Sequence, residues 1–374
     1  MINLHALKGH VPEEYLRRVL SYERLSGLLF DPDTQHDLDE VSEAATPKAV
    51  KQRLSASLGI PLKAADLHVH SSDSHDVLRT RENRTQDIYE RGRDLGLDYI
   101  VITDHDNMDA YKELGERDGL VRGAEFTILM RYRNNRPNRK GDIHTIHSNV
   151  YCLDDEDFRM LEIFAKKGKM KSFVHYCRKK DLPYTFNHPF WVEMGEKDPN
   201  AALIMRVAKS FPALELNMHQ AENQNIASIL LAYRLDKGIV AVTDAHIGDI
   251  GRAFTVGPGR DFREFFRNVS RGENTYLVPR DLTKKYLTDE TLKFIEGMFD
   301  SRVDISENAI VTETEYLNSV IILTTNRLKH IPGSGIFKWM AKTAVEYGVS
   351  IDWRIEKYQA MGRRMFERLK EYNK

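Results

Sequence analysis

The sequence predicts an α/β protein built around a seven-stranded (β/α) barrel. Three observations lead to this prediction: short apolar runs recur between residues 63 and 243, amphipathic segments separate most of them, and histidine or carboxylate residues follow many of the runs. Runs of this kind that alternate with helical patterns indicate βα units with parallel strands. Seven parallel strands fit a TIM-like barrel better than an open sheet.

The predicted strands and helices follow one another along the chain. Gly96 and Gly238 come directly after predicted helices, where glycine favours the left-handed conformation that ends a helix. In order, the elements are strand Ala65–Val69, helix Asn83–Leu95, strands Tyr99–Thr103, Val121–Phe126 and Thr145–Cys152, helix Glu156–Lys180, strand Tyr184–Asn187, helix Ala201–Ser210, strand Ala213–Asn217, helix Asn223–Lys237 and strand Ile239–Thr243.

Helical segments are expected on both sides of the barrel. The sequence divides into an N-terminal helical extension (1–62), the barrel (63–276) and a C-terminal helical region (277–374). In the last predicted helix the basic residues lie away from an apolar face, and we expect them to face solvent. That apolar face comprises Ile355, Tyr358, Met365, Leu369 and Tyr372.

Composition excludes several classes of protein. The chain has 374 residues, enough for two or three domains or for one barrel with attached helices, and its 41% hydrophobic and 30% charged residues are typical of a folded protein. A formal charge of −1 provides no global field for nucleic acid or anionic membranes. Two cysteines cannot form a disulfide framework, and no apolar run suggests secretion or membrane spanning. We therefore expect a cytoplasmic protein with no membrane attachment.

Histidine and carboxylate residues, the types that can bind metals, follow most of the predicted strands. His68 and His70 form an H-x-H pair, and because side chains alternate along a strand, both rings project from the same face. The carboxyl ends of parallel barrel strands share one rim, so the later histidines and carboxylates should converge there. Any single histidine among them would more simply be structural, but imidazole and carboxylate together are the ligands of Zn, Fe and Mn. After the H-x-H pair, the candidate metal ligands at this rim are His105, Glu125, His147, His188, Asp244 and His246.

Seven segments together resemble one known family of enzymes. They are DLHVHSSDSHD, YIVITDHDN, GAE, HSNVYCLDD, NHPF, ALELN and VTDAHIGDIGRAFT. In this order they are similar to the motifs of the PHP (polymerase and histidinol phosphatase) family. The resemblance covers residues 63 to 276 and implies a distorted seven-stranded (β/α) barrel with a multinuclear metal site.

The resemblance also implies a set of ligands for two or three divalent transition metals (Mn, Zn or Fe). Two choices of ligand stay open. The third site takes either His75 or Asp76, with Asp76 slightly favoured. The second site takes either His147 or His144, with His147 favoured. The implied first site holds His68, His70, Glu125 and Asp244, the second shares Glu125 with His147 and His188, and the third holds His105 and His246.

The expected chemistry is metal-dependent hydrolysis of a phosphoester. Several divalent cations on one rim lower the pKa of a bridging water and neutralise phosphoester oxygens as charge develops. Glu125, Asp244 and His246 are the candidate catalytic residues, and Asp104 or Asp106 could donate a proton to the leaving group. No Walker or GxGxxG motif supports a nucleoside triphosphate or dinucleotide site.

Other functions remain as alternatives. The first is a nuclease that acts on oligonucleotide ends, although the balanced charge does not favour an extended nucleic-acid groove. The second is a metal-bound regulatory module without turnover, which a complete ligand set disfavours. The amidohydrolase superfamily also begins with H-x-H, but it has no counterpart of the TDHD segment at residues 103–106.

The expected partner is a small phosphorylated substrate or nucleotide. Arg131 and Arg133 begin a basic stretch that either clamps a polyanionic substrate or is solvated. Arg252 is a further candidate phosphate ligand, with a surface ion pair as its alternative. The sequence does not predict the oligomeric state, and we expect the remaining candidates, His175, His219 and Cys177, to be structural.

Overall fold

The computed structural model describes residues 46–77, 79–132, 142–191, 201–278, 288, 292, 334–346 and 351–371. Within these ranges the strands are β1 (Lys63–Asp66), β2 (Tyr99–Ile100), β3 (Gly123–Tyr132), β4 (Asp142–Tyr151), β5 (Thr185–Phe186), β6 (Ala213–Asn217), β7 (Gly238–Val242), β8 (Phe254–Gly257) and β9 (Thr275–Leu277). The helices are α1 (Pro47–Leu58), α2 (Thr85–Asp94), α3 (Ala110–Leu114), α4 (Asp155–Lys166), α5 (Met170–Lys179), α6 (Ala201–Ala208), α7 (Glu222–Leu235), α8 (Phe262–Ser270), α9 (Ser334–Glu346) and α10 (Ile351–Glu371).

The described strands form three sheets. Their orders are β2-β1-β8-β9, β3-β4 and β5-β6-β7. The pairs β1·β2, β5·β6 and β6·β7 are parallel, as expected from βα units. The fold is therefore mixed α/β, which confirms the predicted class, but the continuous ladders of the described residues do not close into one barrel.

Two predicted parallel neighbours are instead antiparallel. β3 and β4 form a long hairpin in which Gly123 lies opposite Tyr151 and Thr127 lies opposite His147. The chain connects them through residues 133–141, and a connection this short permits an antiparallel pair, whereas a parallel pair needs a crossover of about a dozen residues or more. The prediction of a parallel strand at Thr145–Cys152 was wrong for this reason.

Isolated bridges join the three sheets at the ends of their strands. Val69 pairs with Ala245 and His105 with Glu125 in parallel bridges, and an antiparallel bridge joins β4 to β5 through Val150 and Tyr184. The first two bridges lie among the predicted metal ligands. The residues that follow different strands are therefore held side by side by backbone contacts.

Local turns differ from the prediction at two positions. The predicted helix Glu156–Lys180 is divided into α4 and α5 at Gly168, whose φ is 60° and whose Cβ, if present, would lie 2.5 Å from the carbonyl oxygen of Leu129. Gly96 has the expected positive φ of 86°, but Gly238 does not end a helix. Gly238 starts β7, and Asp236 takes the left-handed position with a φ of 50°.

The C-terminal helix α10 packs against the α/β core. Met361, Met365 and Leu369 are buried in the same apolar cluster as residues of α7. This confirms that the predicted apolar face, whose Tyr372 lies outside the described residues, turns toward the protein. No helix in the described ranges is both long and apolar enough to cross a membrane. Most of the predicted N-terminal extension lies outside those ranges.

Candidate metal centre

Backbone hydrogen bonds bring the first three candidate ligands together. His68 and His70 follow β1, and both side chains are buried. The backbone N–H of His70 donates to the carbonyl of Ala245 (2.9 Å), and the N–H of Asp244 donates to the carbonyl of His68 (2.8 Å). The segment after β7 is thus fixed beside the segment after β1, with Asp244 next to the H-x-H pair.

The hairpin β3–β4 and the segment after β5 supply the next ligands. Glu125 lies on β3 and is buried, and its carbonyl accepts the N–H of Asp106 at 2.8 Å. After β5, Asn187 donates its backbone N–H to the carbonyl of His147 (3.1 Å) and its side-chain amide to Glu125 Oε1 (2.8 Å). His188 follows directly, so its position depends on that of Asn187.

The Glu125 carboxylate lies at the centre of the cluster. Its Oε2 is 3.0 Å from His68 Nε2, 3.3 Å from His70 Nε2 and 3.3 Å from His105 Nδ1. Its Oε1 is 3.2 Å from His147 Nδ1 and 3.3 Å from His188 Nε2. The two oxygens of one side chain therefore face two different sets of imidazoles, as expected of a bridging ligand.

Asp244 completes a group with the H-x-H pair. Its Oδ1 lies 3.2 Å from His68 Nε2 and 3.1 Å from His70 Nε2, and the two Nε2 atoms are 3.0 Å apart. These three residues can place one ligand atom each around a single cation.

A further group lies around Asp76. Its Oδ2 is 3.2 Å from His105 Nε2 and 3.0 Å from His246 Nε2, and His70 belongs to the same group. Ser74 donates its hydroxyl to Asp76 Oδ1 at 2.7 Å and so orients the carboxylate. His75 is in none of the metal-capable groups of the described residues, although its ring lies 5.0 Å from that of His105.

Burial and mutual charge shape the protonation of the cluster. Burial alone would raise the pKa of Glu125, but the imidazoles of His68, His105 and His147 outweigh burial and hold this pKa well below its usual range. Burial lowers the pKa of His105, but the carboxylates of Glu125 and Asp76 reverse that effect and raise it to about 10. Without a cation, the carboxylates and the imidazoles of His68 and His105 therefore stabilise one another in their charged forms.

The donor set fits a transition metal. Asp244 Oδ1 and His105 Nδ1 are buried and lie beside oppositely charged atoms, yet they form no hydrogen bond of normal geometry among the described residues. His68 Nε2 and His70 Nε2 point at each other and at the same carboxylate oxygens. Imidazole nitrogens and carboxylate oxygens that converge on one another in this way are the donor atoms that Zn, Mn and Fe prefer.

Glu215 and Asn217 are site residues to which the sequence reasoning assigned no role. Glu215 Oε2 lies 2.9 Å from His68 Nδ1, the ring nitrogen that faces away from the cluster centre. Asn217 donates to Glu215 Oε1 and to Asp244 Oδ2, both at 2.8 Å. A polar E-x-N pair inside the otherwise apolar run of β6 is the signal that could have identified them, because buried polar groups need partners.

We expect the Glu215→Gln variant to bind metal about 10- to 100-fold more weakly than the wild type. The Glu215 carboxylate fixes the ring orientation of His68 and increases the basicity of its Nε2. The glutamine amide of the variant should orient the ring less firmly and increase this basicity less. Competition with a chelator measures the affinity. Glu273→Gln, which changes an exposed carboxylate, is the control, and equal affinities in the two variants would contradict the assigned role of Glu215.

Three further residues considered in the sequence, His144, Asp104 and Asp106, belong to none of the metal-capable groups of the described residues. The structure therefore brings His147 and not His144 into the cluster. Asp104 accepts hydrogen bonds from the backbone and hydroxyl of Ser71 (2.6 and 2.7 Å), which fixes the loop after His70. Asp106 accepts the N–H of Thr127 at 3.4 Å.

The predicted substrate-binding arginines make no described contact with the cluster. Arg252 Nε lies 3.9 Å from Asp249 Oδ2, which corresponds to the ion-pair alternative. Arg133 lies outside the described residues, and only the backbone of Arg131 is described. His175 is exposed on α5, whereas Cys177 is buried on the same helix.

His219 lies closer to the cluster than expected. Its ring is 5.3 Å from that of His246, and its backbone N–H donates to Asn217 Oδ1 at 2.7 Å. Burial lowers the pKa of His219 to about 3, so its imidazole is neutral. It is in none of the metal-capable groups of the described residues.

Comparisons with known proteins find similarity in structure only. No family model and no curated protein matches the chain. PsfC from Pseudomonas syringae is 16% identical and aligns with a TM-score of 0.44 over 61% of this chain and 96% of its own. A candidate metal-dependent phosphoesterase from Bifidobacterium adolescentis is 13% identical, with a TM-score of 0.34 over 50% of this chain and 88% of its own.

A third solved structure is an amidohydrolase from Chromobacterium violaceum with bound sulfate and no metal. It is 14% identical, with a TM-score of 0.34 over 58% of this chain and 98% of its own. The geometry of the cluster, and not these similarities, indicates a metal centre.

Proposed function

We propose that this protein is a metal-dependent phosphoesterase similar to the PHP family, with two or three divalent transition cations in the cluster around Glu125. The observation that carries the proposal is the Glu125 carboxylate, whose two oxygens each face a separate set of imidazoles at 3.0–3.3 Å. Bound there, divalent cations would supply Lewis acidity and a nucleophile from water near neutral pH.

The ligands of this chain divide into an inner and an outer set. The side chains of His68 and His70 are fully buried, whereas those of His246 and Asp76 are 16% and 27% exposed. We assign the outer pair to the side from which the substrate approaches. His246 Nδ1 donates to the carbonyl of Asp244 at 2.8 Å, so the other ring nitrogen, Nε2, faces the cluster and lies 3.0 Å from Asp76 Oδ2.

Contacts between strands support a barrel for residues 63–276. The bridges Val69–Ala245, His105–Glu125 and Val150–Tyr184 provide links between the three sheets, in the order β1, β2, β3, β4, β5, β6, β7 and back to β1. We propose that this ring is the distorted seven-stranded barrel, preceded by a helical extension (1–62) and followed by a helical region (277–374).

A small phosphorylated metabolite or nucleotide is the proposed substrate class. Arg131, Arg133 and Arg252 remain the proposed phosphate-binding residues. The two cysteines, Cys152 and Cys177, are both free, which suits a reducing cytoplasm.

Elemental analysis of protein purified without added metal tests the proposal. We expect two or three equivalents of Mn, Zn or Fe per chain and hydrolysis of a chromogenic phosphomonoester. A panel of phosphorylated metabolites, nucleotides and short oligonucleotides then separates a phosphatase from a nuclease. Fewer than one equivalent of metal, with no gain after Mn or Zn is added, would overturn the proposal, and bound metal without turnover would favour a regulatory module.

A further inference from the structure

The segment that carries His188 has a backbone that needs support. His188 has a φ of 25°, in a region that residues other than glycine rarely occupy. Such a conformation is strained and persists only when the surroundings hold it. Asn187 holds the segment on its N-terminal side through Glu125 and His147. The C-terminal side must be held by other contacts.

A first contact runs from this segment to the C-terminal helix. The ring of Trp191 lies 5.9 Å from that of His188, in an edge-to-face arrangement, and 5.7 Å from that of Tyr358 on α10. Both Trp191 and Tyr358 are half-buried. The Trp191 ring therefore lies between the imidazole of a proposed metal ligand and a residue of the C-terminal helix.

A second contact runs through the first turn of α7. Gln359 of α10 accepts a hydrogen bond from the backbone N–H of Asn223 at 3.1 Å. This N–H lies in the first turn of α7, where backbone donors have no acceptor within their own helix. The adjacent Gln224, which is buried, donates its side-chain amide to the carbonyl of Phe190 at 2.9 Å. Phe190 is two residues after His188, so α10 also reaches the ligand segment along this route.

The close approach of α10 to α7 depends on Gly362. A Cβ at this position would lie 2.5 Å from the carbonyl carbon of Asn223 and 2.5 Å from the N of Gln224. Met361 and Met365 are buried on either side of it along the helix. The helix is therefore seated against the same turn that holds Phe190.

We propose that α10 is a positioning element of the metal centre and that Tyr358 and Gln359 fix the His188 segment in its metal-binding conformation. This inference rests on the proposed function, because it treats His188 as a ligand. It gives the C-terminal helix a role beyond packing. Tyr358 acts through Trp191 and does not itself reach the cluster.

The Tyr358→Leu variant tests the proposal by metal binding, without reference to activity. We expect chelator to remove one equivalent of cation about tenfold faster than from the wild type, because changes to residues that orient a ligand weaken metal binding by about 10- to 100-fold. Tyr358→Phe keeps the ring and should behave as wild type. Gln359→Ala should weaken metal retention in the same direction.

Phe366→Leu is the matched control, since Phe366 is a half-buried aromatic on the same helix that packs on the core and lies two turns beyond Tyr358. It should lower thermal stability and leave metal retention unchanged. Equal metal retention in Tyr358→Leu and wild type, or equal loss in Tyr358→Leu and Phe366→Leu, would overturn the proposal. A wild-type protein without bound metal would instead overturn the proposed function, and this inference with it.

Discussion

Asp244→Ala and His70→Ala are each expected to reduce phosphoester hydrolysis by roughly 10³-fold or more in kcat/KM. Both residues lie in the group around His68, where Asp244 Oδ1 is 3.1 Å from His70 Nε2. Loss of either ligand should release a cation, whose stabilisation of charge in the transition state is worth several kcal/mol, and each ~1.4 kcal/mol corresponds to a factor of ten in rate. Steady-state kinetics on a chromogenic phosphoester, together with the metal content of each variant, measures the effect.

The fold should change little in these variants, because the ligands lie at the ends of strands and not within the apolar cluster. Circular dichroism in the near ultraviolet checks this. His175→Ala is the control, since it removes an exposed imidazole of α5. Full activity at unchanged metal content in Asp244→Ala or His70→Ala would show that the first metal group is assigned wrongly.

Removal of the metals is expected to lower the melting temperature by roughly 10 °C. The cluster gathers its ligands from several strands, so a cation binds the folded chain far more tightly than the unfolded one. A ligand present at ~1,000 times its Kd contributes ~4.1 kcal/mol, and each kcal/mol shifts Tm by ~2–4 °C in a domain of ~200 residues. Calorimetry of chelator-treated protein, before and after Mn or Zn is added back, measures the shift.

The Asp244→Ala variant provides the control for this experiment, because it should gain less stability from added metal than the wild type. The Tm of the wild type should also rise with metal concentration, as linkage requires. An identical Tm in the stripped and reloaded wild-type protein would mean that the cluster holds no cation in the folded state.

Sequence patterns were sufficient to predict those features that depend only on residues close together in the chain. The H-x-H spacing predicted that His68 and His70 share a face, because side chains alternate along an extended chain, and the structure places their Nε2 atoms 3.0 Å apart. The apolar residues of the last helix likewise predicted a buried face, which α10 has in Met365 and Leu369. In both cases the period of the backbone fixes which side chains lie together.

The choice between adjacent or alternative ligands needed the tertiary structure. His75 and Asp76 occupy the same window of the sequence, and only the path of the loop shows that Asp76 faces His105 and His246. Similarly, His144 and His147 lie on one strand, but an odd spacing turns them to opposite faces. Which face meets Glu125 depends on the register of the β3–β4 hairpin.

The sequence by itself therefore determined the α/β class, the apolar face of the last helix and the kinds of atom available at the strand ends. Only the tertiary structure decided the antiparallel hairpin, the contact of Glu215 with His68 and the contact of Tyr358 with Trp191. Local periodicity follows from backbone geometry over a few residues. Contacts between residues 147 or more positions apart, such as His68 and Glu215, depend instead on how whole strands and helices pack, which no short pattern encodes.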